Sequence, residues 1–117
     1  MPLDIPTNQK ELTELADALD RVAARQAGEI PKKRFAYEAK RTRVISRLLD
    51  HLNTLDPVGI RILLGHLKTT LRLLQTLTSH TSSKEGQTFW KNKAQILLGL
   101  ADILESNLSK KTLTPAL

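Results

Sequence analysis

The stretch that most limits what this chain can become is DPVGIRILLGHLKTTLRLLQTL, residues 56–77. Asp56 followed by Pro57 marks a helix start: a capping carboxylate accepts from free first-turn N–H groups, and proline suits a first helical position that needs no N–H. Behind it, Ile60, Leu63, Leu64, Leu67, Leu71, Leu74 and Leu77 recur at spacings of one, three and four. That pattern lies on one side of a 3.6-residue period. Ile62 and Leu73 fall on a second flank, so the helix is expected to be covered by more than one neighbour. Only a narrow lane stays polar, carrying Arg61, Lys68 and Arg72, with Gln75 continuing the line. Gly59 and Gly65 sit inside the pattern and read as points of close helix packing.

The rest of the chain repeats the theme. Residues 1–7, with Pro2 and Pro6, read as an extended lead-in, after which Asn8 and Glu11 make a capping-box-like pair. A first helix follows with Leu12, Leu15, Ala16, Leu19, Val22 and Ala23 on its apolar stripe, and Gly28 and Pro31 end it. A second is predicted over residues 32–54. Val44, Ile45, Leu48, Leu49, Leu52 and Leu55 form the apolar face of its second half, while only Phe35, Tyr37 and alanines interrupt the polar first half, which should protrude or line a groove. After the polar connector SHTSSKEG, Ser82 and Glu85 stand at capping-box spacing for a last helix of about 25 residues. There Trp90 reads as a core anchor with Phe89, Leu97, Leu100, Ala101, Leu104 and Leu108, and Ile96 and Ile103 flank that side. Residues 109–117 have no periodicity and read as a flexible tail. Connectors this short join antiparallel neighbours. A chain of 117 residues with no strand alternation is therefore predicted to be all-α, a single-domain antiparallel bundle of about four helices.

Several chemistries have no residues to carry them. There is no cysteine, which removes disulfides and thiolate metal sites. His51, His66 and His80 are too far apart in sequence to place two imidazoles on one metal by short spacing. No glycine-rich phosphate loop exists, and Ser46, Thr69 and Thr70 lack a nucleophile context. Asp17 with Asp20, and Asp102 with Glu105, pair carboxylates on helix faces where such pairs are ordinarily only solvated. An enzyme is not expected, nor a cofactor, a metal or a small-molecule substrate. The start MPLDIPTNQKE lacks an apolar signal region, and no apolar run approaches the roughly 18 residues that span a bilayer. The expectation is a cytoplasmic protein with no membrane partner.

Charge is the positive signal. The net charge is +6, but residues 1–30 carry six acids and three bases, whereas residues 31–47 carry seven bases and one acid, Glu38. Lys33, Lys40, Arg43 and Arg47 stand at offsets of 0, 7, 10 and 14 and keep to one side of a helix, with Arg34 and Arg41 on another. A solvated helix normally sets acids at i,i+4 to such bases; here they are missing. Together with Arg61, Lys68 and Arg72 these residues form the candidate nucleic-acid-binding set. Lysine and arginine contacts to phosphate supply affinity without sequence information. Aromatic residues are 3% of the chain, too few for a stacking platform, with Phe35 and Tyr37 the only candidates. The partner expected from these residues is thus a nucleic-acid phosphate backbone, met without sequence specificity.

Two other readings fit parts of the pattern. In one, the chain is a helical protein–protein adaptor that buries the Ile62 and Leu73 flank or the Ile96 and Ile103 flank, and the basic residues only solubilise it. The other is a helix-turn-helix-like duplex binder, since a short turn around residues 55–57 separates two helices. Against it, the later helix is long and presents Val58 and Ile60 near its start instead of polar readers.

In format the chain resembles the small subunit of multi-subunit CRISPR effector complexes of Cascade type. The features that carry the resemblance are KKRFAYEAKRTRVISR, the aligned Arg61, Lys68 and Arg72, and a size match over the whole chain. The resemblance implies a non-enzymatic bundle within a ribonucleoprotein complex for antiviral defence. It further implies stacking against other subunits and copies of itself, with the basic surface guiding a DNA strand beside the guide RNA duplex.

Overall fold

Leucine and alanine at helical spacing govern every element of the computed structural model, which describes the backbone of residues 5–113 and the side chains of residues 7–109. The elements are α1 (Ile5–Ala24), α2 (Glu29–Asp50), a 3-10 turn (Leu52–Thr54), α3 (Pro57–His80) and α4 (Lys84–Leu113). Among the described residues there is no strand, and the fold class is all-α as the periodicity predicts. Contacts group the chain into two compact units, Met1–Asp50 and His51–Leu117. Each holds one pair of packed helices, α1 with α2 and α3 with α4.

In the first unit Leu12, Leu15, Ala16, Leu19 and Ala23 of α1 are buried, with Ala39, Thr42, Ile45 and Leu49 of α2. The two helices run antiparallel: Gln9 near the start of α1 donates to the Ser46 carbonyl at 3.0 Å and to Asp50 at 2.7 Å near the end of α2. Three sequence expectations change here. Helix α1 has already begun at Ile5, so residues 5–7 are helical and Asn8 lies inside the helix instead of capping it; residues 1–4 of the predicted lead-in lie outside the described residues. Helix α2 spans Glu29–Asp50 where residues 32–54 were predicted, because at His51 the backbone departs from helical geometry and tightens into the 3-10 turn that buries Leu52. Finally, Val44 is exposed and Leu48 half-buried. They stand on the far side of α2 from the buried Ala39 and Thr42.

In the second unit Asp56 caps α3 as predicted, its carboxylate accepting from the Gly59 N–H at 2.8 Å, and Pro57 opens the helix. Asp56 itself is extended, as a residue before proline prefers. Ile60, Leu63, Leu64, Leu67 and Leu74 are buried with Trp90, Leu97, Leu100, Ala101 and Leu104 of α4. Trp90 is the anchor the sequence predicts, edge-on to Phe89 with ring centroids 5.0 Å apart. Lys93 is only 5% exposed, its ammonium 5.3 Å from the centre of the Phe89 ring. Ile62, predicted to be covered, is 55% exposed beside an exposed Val58, and Leu73 is half-buried. The cap of α4 is Ser83 and not Ser82: its hydroxyl accepts from the Gly86 N–H at 3.0 Å. The last helix runs to Leu113, because no glycine or proline interrupts residues 100–113; the predicted tail is helical over residues 109–113, and residues 114–117 lie outside the described residues.

The helical glycines are not alike. A Cβ on Gly65 or Gly99 would meet nothing within 4 Å, so Gly65 is not a packing point. On Gly59 it would crowd Leu55 at 3.1 Å, a contact with its own helix start. On Gly86 it would fall 2.5 Å from Thr81 Cγ2 and 2.8 Å from Ser83 Oγ. Thr81 is held in place by its hydroxyl bond to the Leu77 carbonyl at 2.6 Å. Thermal melts should therefore rank Gly65→Ala and Gly99→Ala above the parent, by up to about 1 kcal/mol each from helix propensity. Gly86→Ala should fall about 1 kcal/mol below it through loss of the cap. The same melts check Thr70, wholly buried with no hydrogen-bond partner for its hydroxyl among the described residues. Thr70→Val should gain about 1 kcal/mol.

Candidate nucleic-acid interface

The rotation of α2 decides which of its bases face outward. With Ala39, Thr42, Ile45 and Leu49 against α1, the opposite side carries Lys33, Lys40 and Arg47, spaced by seven residues and all exposed. None of the three has an ion-pair or hydrogen-bond partner among the described residues, and the same is true of the exposed Lys32 and Arg34. An open hollow of about 220 Å³ lined by Leu12, Thr13, Arg43, Ser46 and Arg47 lies at the end of this lane.

Arg43 departs from the lane the sequence assigned it to. It sits on the edge of α2 that faces α1, and its guanidinium donates to Asp20 at 2.6 Å and to Asp17 at 3.1 Å. The hydrogen bond to Asp20 is the main cause of a pKa raised above the ordinary arginine value, against opposing desolvation, with Asp17 adding less. Arg43 is a cross-helix tie. Lys68 is similarly engaged on α3, pairing with Glu105 of α4 at 3.2 Å, while Arg61 and Arg72 on that helix are exposed and unpartnered among the described residues. Of the seven predicted site residues, then, three stand together free on α2, two are free on α3, and two are spent on neighbouring helices.

One group at the site was not singled out by charge counting. Arg41 Nη1 donates to both oxygens of Glu38 at 2.9 Å, and its guanidinium lies 5.0 Å from the centre of the Tyr37 ring. Both partners of this pair are mostly withdrawn from solvent, at 15% and 12% side-chain exposure, yet Tyr37 is 58% exposed. Spacings of one, three and four residues within one helix make this cluster, so it was readable from the sequence as local geometry. Phe35, the other predicted stacking candidate, is half-buried.

Among the described residues no group of histidine and acidic side chains could hold a metal ion, and no helix is long and apolar enough to cross a membrane. Comparison with protein-family models, with curated proteins and with solved structures finds no match to the chain.

Because Arg43, Asp17 and Asp20 are each about half exposed, their bonds are strongly screened. Arg43→Ala should cost less than about 1 kcal/mol in low salt, and urea denaturation should show the difference shrinking as salt is raised. A loss that stays constant in high salt contradicts the electrostatic account.

Proposed function

We propose that this chain is a non-enzymatic helical subunit that binds the sugar–phosphate backbone of nucleic acid along the outer face of α2, as part of a multi-subunit ribonucleoprotein assembly. The observation that carries the reading is the run of exposed bases on α2, namely Lys32, Lys33, Arg34, Lys40 and Arg47, without acidic partners among the described residues. At a rise of 1.5 Å per residue, Lys33, Lys40 and Arg47 are about 10 Å apart along the axis. Arg61 and Arg72 of α3 supply a second, smaller pair. The assembly whose format the chain resembles is the Cascade-type CRISPR effector, and co-purification from the native host with a guide-RNA complex is the direct test of that part.

A protein–protein adaptor is the second reading. The exposure of Val58 and Ile62 on α3 favours it, since both are large apolar side chains left open. The same exposure argues against a duplex-reading helix-turn-helix, because Val58 and Ile62 take exposed positions at the start of α3 and Arg61 is the only polar side chain among residues 57–64.

Titration of a labelled oligonucleotide at several salt concentrations separates the two readings. Backbone binding predicts a log–log salt slope of about −0.7 per single-strand phosphate contacted, so the triple change Lys33→Ala, Lys40→Ala, Arg47→Ala should flatten the slope by about 2 and weaken binding equally across sequences. Absence of binding by the parent chain, or an unchanged slope in the triple variant, overturns the proposal in favour of the adaptor.

A further inference from the structure

Tyr37 is ringed by bases. Its four helical neighbours at i−4, i−3, i+3 and i+4 are Lys33, Arg34, Lys40 and Arg41, the positions whose side chains stand about 5–6 Å away on a helix surface. Arg41 is turned inward, locked to Glu38 and laid over the ring. That leaves Lys33, Arg34 and Lys40 exposed around an exposed ring, with no partner among the described residues. Seven residues to either side of Tyr37, Ile30 and Val44 are also exposed. An apolar edge (Ile30, Tyr37, Val44) therefore runs along α2 beside the cationic edge (Lys33, Lys40, Arg47), both at the same seven-residue repeat.

The two edges differ in what they ask of a ligand. The cationic edge matches any polyanion. An apolar edge parallel to it matches only a polyanion with an accessible flat apolar side. A duplex presents phosphates outward and keeps its bases stacked within, whereas a single strand offers phosphates on one side and π-faces on the other. Resting on the backbone-binding reading above, we infer that α2 takes single-stranded nucleic acid in preference to duplex, with one base stacked on Tyr37 and flanking phosphates held by Lys33, Arg34 and Lys40. The Arg41 guanidinium is a positioning group: it lies over the ring, restrains its rotamer and leaves the rest of the ring surface to the base. Stacking of this kind tolerates any base, because every base has a π-face.

The test uses the full chain and four variants, Tyr37→Ala, Tyr37→Phe, Lys40→Ala and Arg41→Met. Fluorescence anisotropy would be followed with a labelled 20-mer of deoxythymidine and with a 20-base-pair duplex, across a salt series, and thermal melts would confirm that each variant is folded. Tyr37→Ala should weaken single-strand binding by roughly tenfold, within the range of one stacked base, with the salt slope and duplex binding unchanged. Tyr37→Phe should bind as the parent does. Lys40→Ala should weaken both ligands and flatten the single-strand slope by about 0.7. Arg41→Met, if Arg41 positions the ring, should give a smaller single-strand loss than Tyr37→Ala, and that loss should vanish when Tyr37 is already alanine.

If Tyr37→Ala binds the single strand as tightly as the parent while Lys40→Ala does not, base stacking is wrong and backbone binding stands. If the parent binds neither ligand, both fall. A parent that ignores both oligonucleotides but binds phosphatidylserine vesicles through Tyr37 would assign the two edges to an anionic lipid surface and overturn the inference outright.

Discussion

Everything at the candidate site depends on how α2 is rotated against α1, and that rotation is set by small buried residues. Ala39 and Thr42 are both wholly buried, and they are flanked by Ile45 and Leu49 on the same side. Small residues are buried on α1 as well, among them Ala16 and Ala23. A rotation of α2 by one residue, about 100°, would turn lysines and arginines of the 32–47 segment toward the contact. Burying one charge without a partner costs far more than the apolar contacts at any one position contribute. The register is thus defined as much by what cannot be buried as by what is. Its consequence is that Arg43, on the edge shared with α1, finds acids there, whereas Lys33, Lys40 and Arg47 on the opposite side do not.

Arg41 shows the sorting at its most constrained. Its side chain is largely buried, and Nε has no hydrogen-bond partner among the described residues. A guanidinium in that position is tolerated because Glu38 accepts from it and because the Tyr37 ring offers its negative face. The arrangement couples packing to surface chemistry. The same arginine that meets Glu38 lies over a ring that is itself exposed at the surface.

Periodicity was enough to read the helical class, the burial of most of the leucine stripe on α3, where Leu71 and Leu77 are only half-buried, the Asp56 cap and the anchor role of Trp90, because each depends only on residues close in sequence. The same holds for the Arg41, Glu38 and Tyr37 cluster, which spacing alone could have disclosed had the acid been counted as a ring-positioning partner instead of as the one exception among seven bases. Pairing between helices was not legible. Arg43 meets Asp20 and Asp17 at separations of 23 and 26 residues, and Lys68 meets Glu105, contacts that need the register of two helices and not the wheel of one. Nor could the wheel tell a covered flank from an open one: Ile62 and Val44 satisfy a broad apolar face as drawn, yet both are exposed. Gly65 was misread for the same reason, since a glycine in a helix marks close approach only where a neighbour is present.

The distribution of charge decides how far such a site reaches. The unit Met1–Asp50 carries ten bases and eight acids, a balance of only +2, so the strip on α2 stands on a nearly neutral body and attracts through its local field rather than through the unit's total charge. At physiological ionic strength that field decays over about 8 Å. Lys33, Arg34 and Lys40 lie within that distance of Tyr37, being its helical neighbours, and so act on a phosphate near the ring as a group. Arg61 and Arg72 on α3 are eleven residues apart, about 16 Å along the axis, and Lys68 between them is engaged by Glu105. Screening makes those two independent point charges, whereas the cluster around Tyr37 retains its combined attraction at the salt concentration where a cellular ligand would meet it.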